Sequence, residues 1–427
     1  MGGRRDPRHP RPKGSIEEMS SRKVDTTSAQ DLVSARFVRD SVTWLAYLGL
    51  AAYNFSLYAL GPALTYLHGE LRISYTLTSL HSTLCAVGMV VAGLTFDRVV
   101  ARFGRQRVFW VSALTMSVGI LLFLMGRTVV MTLIGAGVLG TGGAFLQAGT
   151  YVILADRHGR WRDRALVEAN LGASITAVFV PVLLGLLAAT AVGWRPGMLP
   201  PVAVLSAFFI VLGRTSMPAP EAVGRHSAGR FPAGFWQRCL LIGLVVGVEF
   251  CIVFFGASLL RIDVGLSASA ATSLMSLFYV GELLGRLAGA RLTRRPGRAP
   301  QLIGVGLTVA MGGFLVLWLA RPVPLVAVAL LLTGAGVANL GPLGMALALG
   351  SAGGRTDVAT ARTQMSIGLS IGLSPFVLGV LADRVGVHSA FSVEIALIVI
   401  AAFVLLVILT HERDAVVDSP VSLGHNA

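Results

Sequence analysis

Residues 93–107 read GLTFDRVVARFGRQR, and this short basic stretch has a long apolar run on each side. The run before it covers 74–96 and the run after it 108–126. About 20 apolar residues at roughly 1.5 Å of rise each are needed to cross a hydrocarbon core. Each run is therefore long enough to span, and the loop between them leaves no room for a folded soluble domain. Outward from this loop the pattern repeats almost without pause. The remaining spans read 41–67, 128–153, 166–190, 196–213, 236–262, 266–291, 301–320, 324–349, 358–382 and 387–410. The expected fold is an all-α membrane protein of 12 transmembrane helices.

The whole chain agrees with its parts. Of 427 residues 54% are hydrophobic and 13% charged, far from the balance of a soluble domain. In a soluble protein a net charge of +14 would suggest nucleic acid. Here the basic residues sit in short loops between apolar helices, where they set topology. With the N-terminus inside, 28 of the 35 Lys and Arg fall on the inner side and six on the outer. Both termini are expected to be cytoplasmic, and no nucleic-acid partner is implied. No secretory signal is read in the polar first 40 residues. Cys85, Cys239 and Cys251 lie inside apolar spans and form neither a disulfide framework nor a CxxC metal site.

The longest stretch between spans, rich in Pro, Gly and Arg, divides six helices from six. The expected organisation is a disordered tail 1–40, a six-helix half 41–213, a linker 214–235, a second half 236–410 and a tail 411–427. The halves echo one another. Gly93–Arg98 is matched by Gly281–Arg286 at an offset of 188, and Gly135-Ala-Gly-Val138 by Gly334-Ala-Gly-Val337 at 199. Pro181-x-x-x-Gly185 recurs as Pro375-x-x-x-Gly379 at 194. Three matches in the same order indicate two pseudo-symmetric halves, an architecture of secondary transporters with the substrate site between them near the midplane.

With this repeat, the loop at Gly93 resembles the signature G-x-x-x-D-R-x-G-R-[RK] of the major facilitator superfamily, with extra residues between Arg98 and Gly104. The resemblance spans roughly 41–410. It implies that Gly93 lets span 2 pack closely on span 11. It also implies that Asp97 and Arg98, with Arg102, Gly104 and Arg105, form a gate that latches the cytoplasmic side. A carboxylate among guanidiniums suits a latch, because its charge-assisted hydrogen bonds can break and re-form. A plain topology loop is the alternative, although it would not need Asp97. Two departures from the drug-exporting members stand out. Span 4 has no Arg, and Val180 rather than Gly precedes Pro181.

Ionisable groups at bilayer depth are functional candidates by default. Glu249 leads, because it sits mid-span in Val-Val-Gly-Val-Glu-Phe-Cys-Ile-Val with no basic residue within two turns. The resemblance puts span 7 on the central cavity, and a desolvated carboxyl is what a proton carrier requires. A protonated Glu bonded to a neighbouring helix is the alternative. Glu282 and Arg286 have the spacing of a helical ion pair. The repeat sets Arg286 opposite Arg98 near the cytoplasmic end, so they read as a structural pair or part of the gate. Glu168 beside Arg164 and the lone His81 read as structural, and Glu394 stays ambiguous.

Asn54, Tyr58, Gln147, Tyr151, Asn170, Tyr279, Asn339 and Gln364 are the uncharged candidates for lining a substrate site, led by Tyr58, Gln147 and Asn339. Interhelical hydrogen bonds are their alternative use, worth about 0.6 kcal/mol each. The expected function is proton-coupled transport of a small organic solute across a bacterial inner (plasma) membrane. Export is favoured, and uptake of a sugar or other metabolite is the alternative. No cofactor or metal is called for, and a monomer suffices. An enzyme is disfavoured because HExxH, GxSxG and P-loop patterns are absent. A sensor of the same fold would need an output domain larger than either tail.

Overall fold

The computed structural model describes residues 37–158, 161–215, 231–292, 298–352 and 356–417, together with 2, 3 and 217. Most of the expected N-terminal tail, most of the linker and the last ten residues lie outside the described residues. The described chain is helical and has no strand. The helices of the first half are α1 (Ser41–Leu71), α2 (Tyr75–Phe103), α3 (Arg105–Met125), α4 (Val129–His158), α5 (Arg162–Ala188) and α6 (Pro200–Leu212). Next come α7 (Ala233–Asp263), α8 (Ala268–Leu274), α9 (Ser276–Leu292), α10 (Ala299–Leu319), α11 (Val323–Val337) and α12 (Leu340–Gly350). The chain ends in α13 (Thr356–Val385), α14 (Val387–Ala390) and α15 (Ser392–Val417).

Among the described residues nine helices are long and apolar enough to cross a membrane. They do not include α1, α6 or α8–α9. The reasons are local: α6 has only 13 residues, and α8–α9 is broken at Met275 and carries Glu282, Arg286 and Arg291. Side chains such as Val111, Leu114 and Ile210 stand exposed on the outer faces, an apolar belt that water would not tolerate but lipid does.

The break between α11 and α12 has a clear cause. Pro342 has no N–H to offer the carbonyl of Ala338, and its ring crowds that carbonyl. Asn339 turns to φ −110°, ψ 0° and the helix restarts at Leu340. At the start of α1, Asp40 accepts from the Thr43 amide at 2.9 Å and its hydroxyl at 2.6 Å, and from Arg157 at 2.8 Å. Burial raises the Asp40 carboxyl, but these donors outweigh it and hold it below its usual range.

Helices approach closely where glycine faces backbone. In the first half Gly119 meets Leu139, Gly135 meets Phe123 and Gly140 meets Cys85, joining α4 to α3 and α2. In the second half Gly313 meets Thr333 and Gly334 meets Phe278, joining α11 to α10 and α9. A Cβ at Gly334 would collide with the Phe278 carbonyl. Gly334→Val is therefore expected to cost about 1–3 kcal/mol by overpacking, read as a lower melting temperature in detergent. An unchanged melting temperature would show that α9 and α11 can move apart freely.

The halves meet along a seam with the same internal symmetry. Gly185 of α5 packs on Ser269 and Ser273 of α8, and Gly379 of α13 packs on Tyr75 and Ser79 of α2. All three pairs of equivalent residues are 194 apart. Seam bonds cluster at the end remote from the chain termini. Tyr75 and Thr76 donate backbone N–H to Asp383 at 2.7 and 2.8 Å. Tyr66 donates to the Ala268 carbonyl at 3.3 Å, and Thr65 lies 3.4 Å from Ser258. Midway along the helices, Arg286 donates to Ser174. Between described residues, no seam hydrogen bond lies nearer the termini than that one.

Candidate functional site

The polar core of the seam is assembled from four helices. Tyr58 comes from α1, Ser174 from α5, Glu249 from α7, and Tyr279, Glu282 and Arg286 from α9. Tyr58 and Tyr279 meet edge to face at 5.1 Å across the halves. Glu282 is 3% exposed and ion-paired with Arg286. The guanidinium also donates to the Ser174 hydroxyl and, at 3.4 Å, to the Ala338 carbonyl. That carbonyl is the one Pro342 leaves without a helical donor. Glu249 is half-buried, and its carboxylate lies within electrostatic reach of Glu282 and Arg286 and beside the Tyr58 hydroxyl. Tyr279 is buried, and its hydroxyl has no partner among the described residues. A buried hydroxyl without a protein partner is available to a ligand or water.

Beside this cluster Gln147 donates to Tyr151 at 3.5 Å, and Tyr151 donates to Asn170 at 3.4 Å. Tyr151 also feels the charge of Arg286. These first-half residues thus form a bonded row that Tyr151 brings near Arg286 of the second half.

Some expectations change. Glu282 and Arg286 are not at the terminus-bearing end with Arg98; they lie at mid-seam with Glu249, because seam contacts of α2 and α8 pair residues 194 apart rather than 188, which sets Arg286 opposite Ala92. Glu249 accordingly has a basic neighbour in space that its own helix lacks. Asn339 is taken up by packing: its amide donates to the Gly285 carbonyl at 2.7 Å, and Gly289 lies against its side chain. Asn54 bonds to its own helix at Leu50, 3.0 Å away, and Gln364 is half-buried on α13 nearer the termini.

The contacts expected of a latch are absent among the described residues. Gly93 has open space where a Cβ would stand, and Asp97, Arg98 and Arg102 are exposed. Gly104 ends α2 at φ 81°, a conformation that favours glycine, and Arg105 pairs with Asp156 of α4. Span 2 does pack on span 11, but through Gly368, Gly372 and Gly379 rather than Gly93. His81 is a packing residue, 2.9 Å from Thr132. Glu168 accepts from Tyr47 and Arg164, both at 3.1 Å. Ser174 and the Pro342 break were not among the sequence candidates. Asn-Leu-Gly-Pro inside an apolar span is the signal that points to the break.

A family model described as Major Facilitator Superfamily matches residues 46–260 and 238–425. The fold is similar to that of a bacterial homolog of the human lysosomal transporter Spinster, solved in an inward-facing and occupied conformation. The TM-score is 0.70 at 17% identity, covering 86% of this chain and 96% of that one. It is similar as well to nucleoside transporter NupG, with a TM-score of 0.68 at 12% identity, covering 86% and 98%. No curated protein sequence matches this chain.

Proposed function

The chain belongs to the major facilitator superfamily, and from that premise we propose that it is a proton-coupled secondary transporter exporting a small organic solute from a bacterial cell. In this reading twelve spans cross the inner membrane, the nine apolar helices together with α1, α6 and α8–α9 taken as one. The excess of Lys and Arg at one end makes that end cytoplasmic. The end without seam hydrogen bonds between described residues then faces the cytoplasm, and the bonded end faces out.

The observation that carries the reading is the half-buried Glu249 beside the Glu282–Arg286 pair at mid-seam. Arg286 is committed to Glu282, Ser174 and Ala338, so Glu249 has only part of a counter-charge. A desolvated carboxylate in that position is stabilised by a proton or by a cationic group of the solute. Either can occupy it, and both together cannot. That exclusion is the elementary requirement for exchange, and it favours a solute bearing an amine. Tyr58 and Tyr279 offer the cation two aromatic rings. Alternating access follows if the halves rock about the mid-seam contacts.

The test uses the full chain in sealed liposomes with an imposed pH gradient and a panel of amine-bearing solutes, each assayed against its neutral analogue. The expected result is uphill movement of an amine opposite to the proton flow. Movement in the same direction as the proton would indicate uptake, and indifference to the gradient would remove proton coupling.

A further inference from the structure

At the closed end of the seam lies a cavity of about 390 Å³, lined by Thr65, His68, Arg72, Tyr75, Ser258 and Arg261 among others. Its charges are uneven. Two guanidiniums and an imidazole face it, with three hydroxyls, and its lining holds no carboxylate. Among the described residues neither arginine belongs to an ion pair. The acids around it already have donors: Asp383, at the cavity's edge, accepts from the lining residue Tyr75 and from Thr76, Asp263 accepts from His388 at 2.5 Å, and Glu70 accepts from Trp194 and Arg195. His68 is stacked on Tyr75 at 4.2 Å and tied to Thr78, so one wall of the cavity is fixed.

The two arginines come from opposite halves. Arg72 ends α1 in a left-handed conformation, φ 50°, and Arg261 stands in the last turn of α7. Two like charges across a seam favour its opening. An anion between them reverses that sign, because each guanidinium then makes charge-assisted hydrogen bonds to the same oxygens.

We propose that this cavity is an oxyanion site bridging the two halves, and that a phosphate or carboxylate group held there by Arg72 and Arg261 keeps this end closed. The group is supplied free from the water or by a lipid headgroup. A ligand that binds the closed end and not the open one biases the protein toward closure. Such an anion acts at a place separate from Glu249, so it sets how readily the outer side opens and leaves the choice of solute alone.

The experiment uses the purified full chain with inorganic phosphate as probe, against chloride at equal ionic strength. Melting temperature reports binding. Spin labels at Val192→Cys and Val385→Cys, exposed on opposite halves at this end and outside the cavity, report closure. Phosphate is expected to raise the melting temperature and to enrich the short label distance. Arg72→Gln and Arg261→Gln should each weaken the apparent affinity at least tenfold and, with one of the two like charges gone, should not lower the phosphate-free melting temperature. A second arm replaces phosphate with vesicles containing phosphatidic acid. A response to the lipid alone assigns the group to a headgroup, and a response to phosphate alone assigns it to a free anion. The proposal is overturned if neither probe acts, if the variants respond like the wild type, or if binding leaves the label distance unchanged. None of these outcomes depends on proton coupling, which the liposome flux assay tests by itself.

Discussion

Glu249→Gln is expected to reduce proton-driven flux to the level of protein-free liposomes while solute-for-solute exchange persists. Glutamine keeps the shape and one oxygen of the carboxyl but can neither take up nor release a proton. The solute can therefore still bind and the halves can still rock, while the gradient has nothing to act on. The wild-type rate should vary with pH on the side from which Glu249 is charged, and the variant should be flat across the same range. If Glu249→Gln still concentrates an amine against its gradient when protons flow, the carboxyl is not the coupling group. If exchange also disappears with the fold intact, Glu249 binds solute and the proton is carried elsewhere. The assignment therefore depends on measuring both fluxes on one preparation.

Arg286→Met should be the most damaging single change to stability, at about 3–5 kcal/mol, the usual result of breaking a buried ion pair from one side. Methionine leaves Glu282 almost fully buried without its partner, and it removes the donors to Ser174 and Ala338 at the same time. Glu282→Gln combined with Arg286→Met should recover a large part of that loss, because neither position then holds a charge. A double-mutant cycle by chemical denaturation in detergent would read the coupling. Additive losses would mean that the pair is not energetically linked, and the site would have to be redrawn around Glu249 alone.

Much of the fold is legible because the hydrocarbon core imposes a length and a composition on whatever crosses it. The spans around 93–107 could be read directly, and the repeat at Pro181 and Pro375 proved to mark equivalent seam contacts. Glu249 was legible for the same reason, since an isolated carboxyl in an apolar run has to be accounted for. Its company was not legible. Arg286 lies 37 residues away, and the sequence match at an offset of 188 sets it beside Arg98, whereas the seam contacts pair residues 194 apart. Asn339 misled because a polar residue in a span reads as lining until the break at Pro342 is seen to need it. The stretch at Gly93 and Asp97 shows another limit. Its residues match a family signature, yet Gly93 faces open space and Asp97 is exposed in this structure.

Pro342 has one more effect. An unbroken helix resists being swung because every carbonyl along it is tied to an amide of the next turn. Here the tie is missing at one place, and a side chain from another helix holds the loose end. Leu340–Gly350 is thus a short lever whose fulcrum is a guanidinium. That guanidinium also answers to the charge at Glu249 and Glu282. In the proposed cycle, a proton taken up at Glu249 would change how firmly that carbonyl is held. The proposed chemistry would then reach the eleven residues of α12 through one hydrogen bond, from the guanidinium to the Ala338 carbonyl.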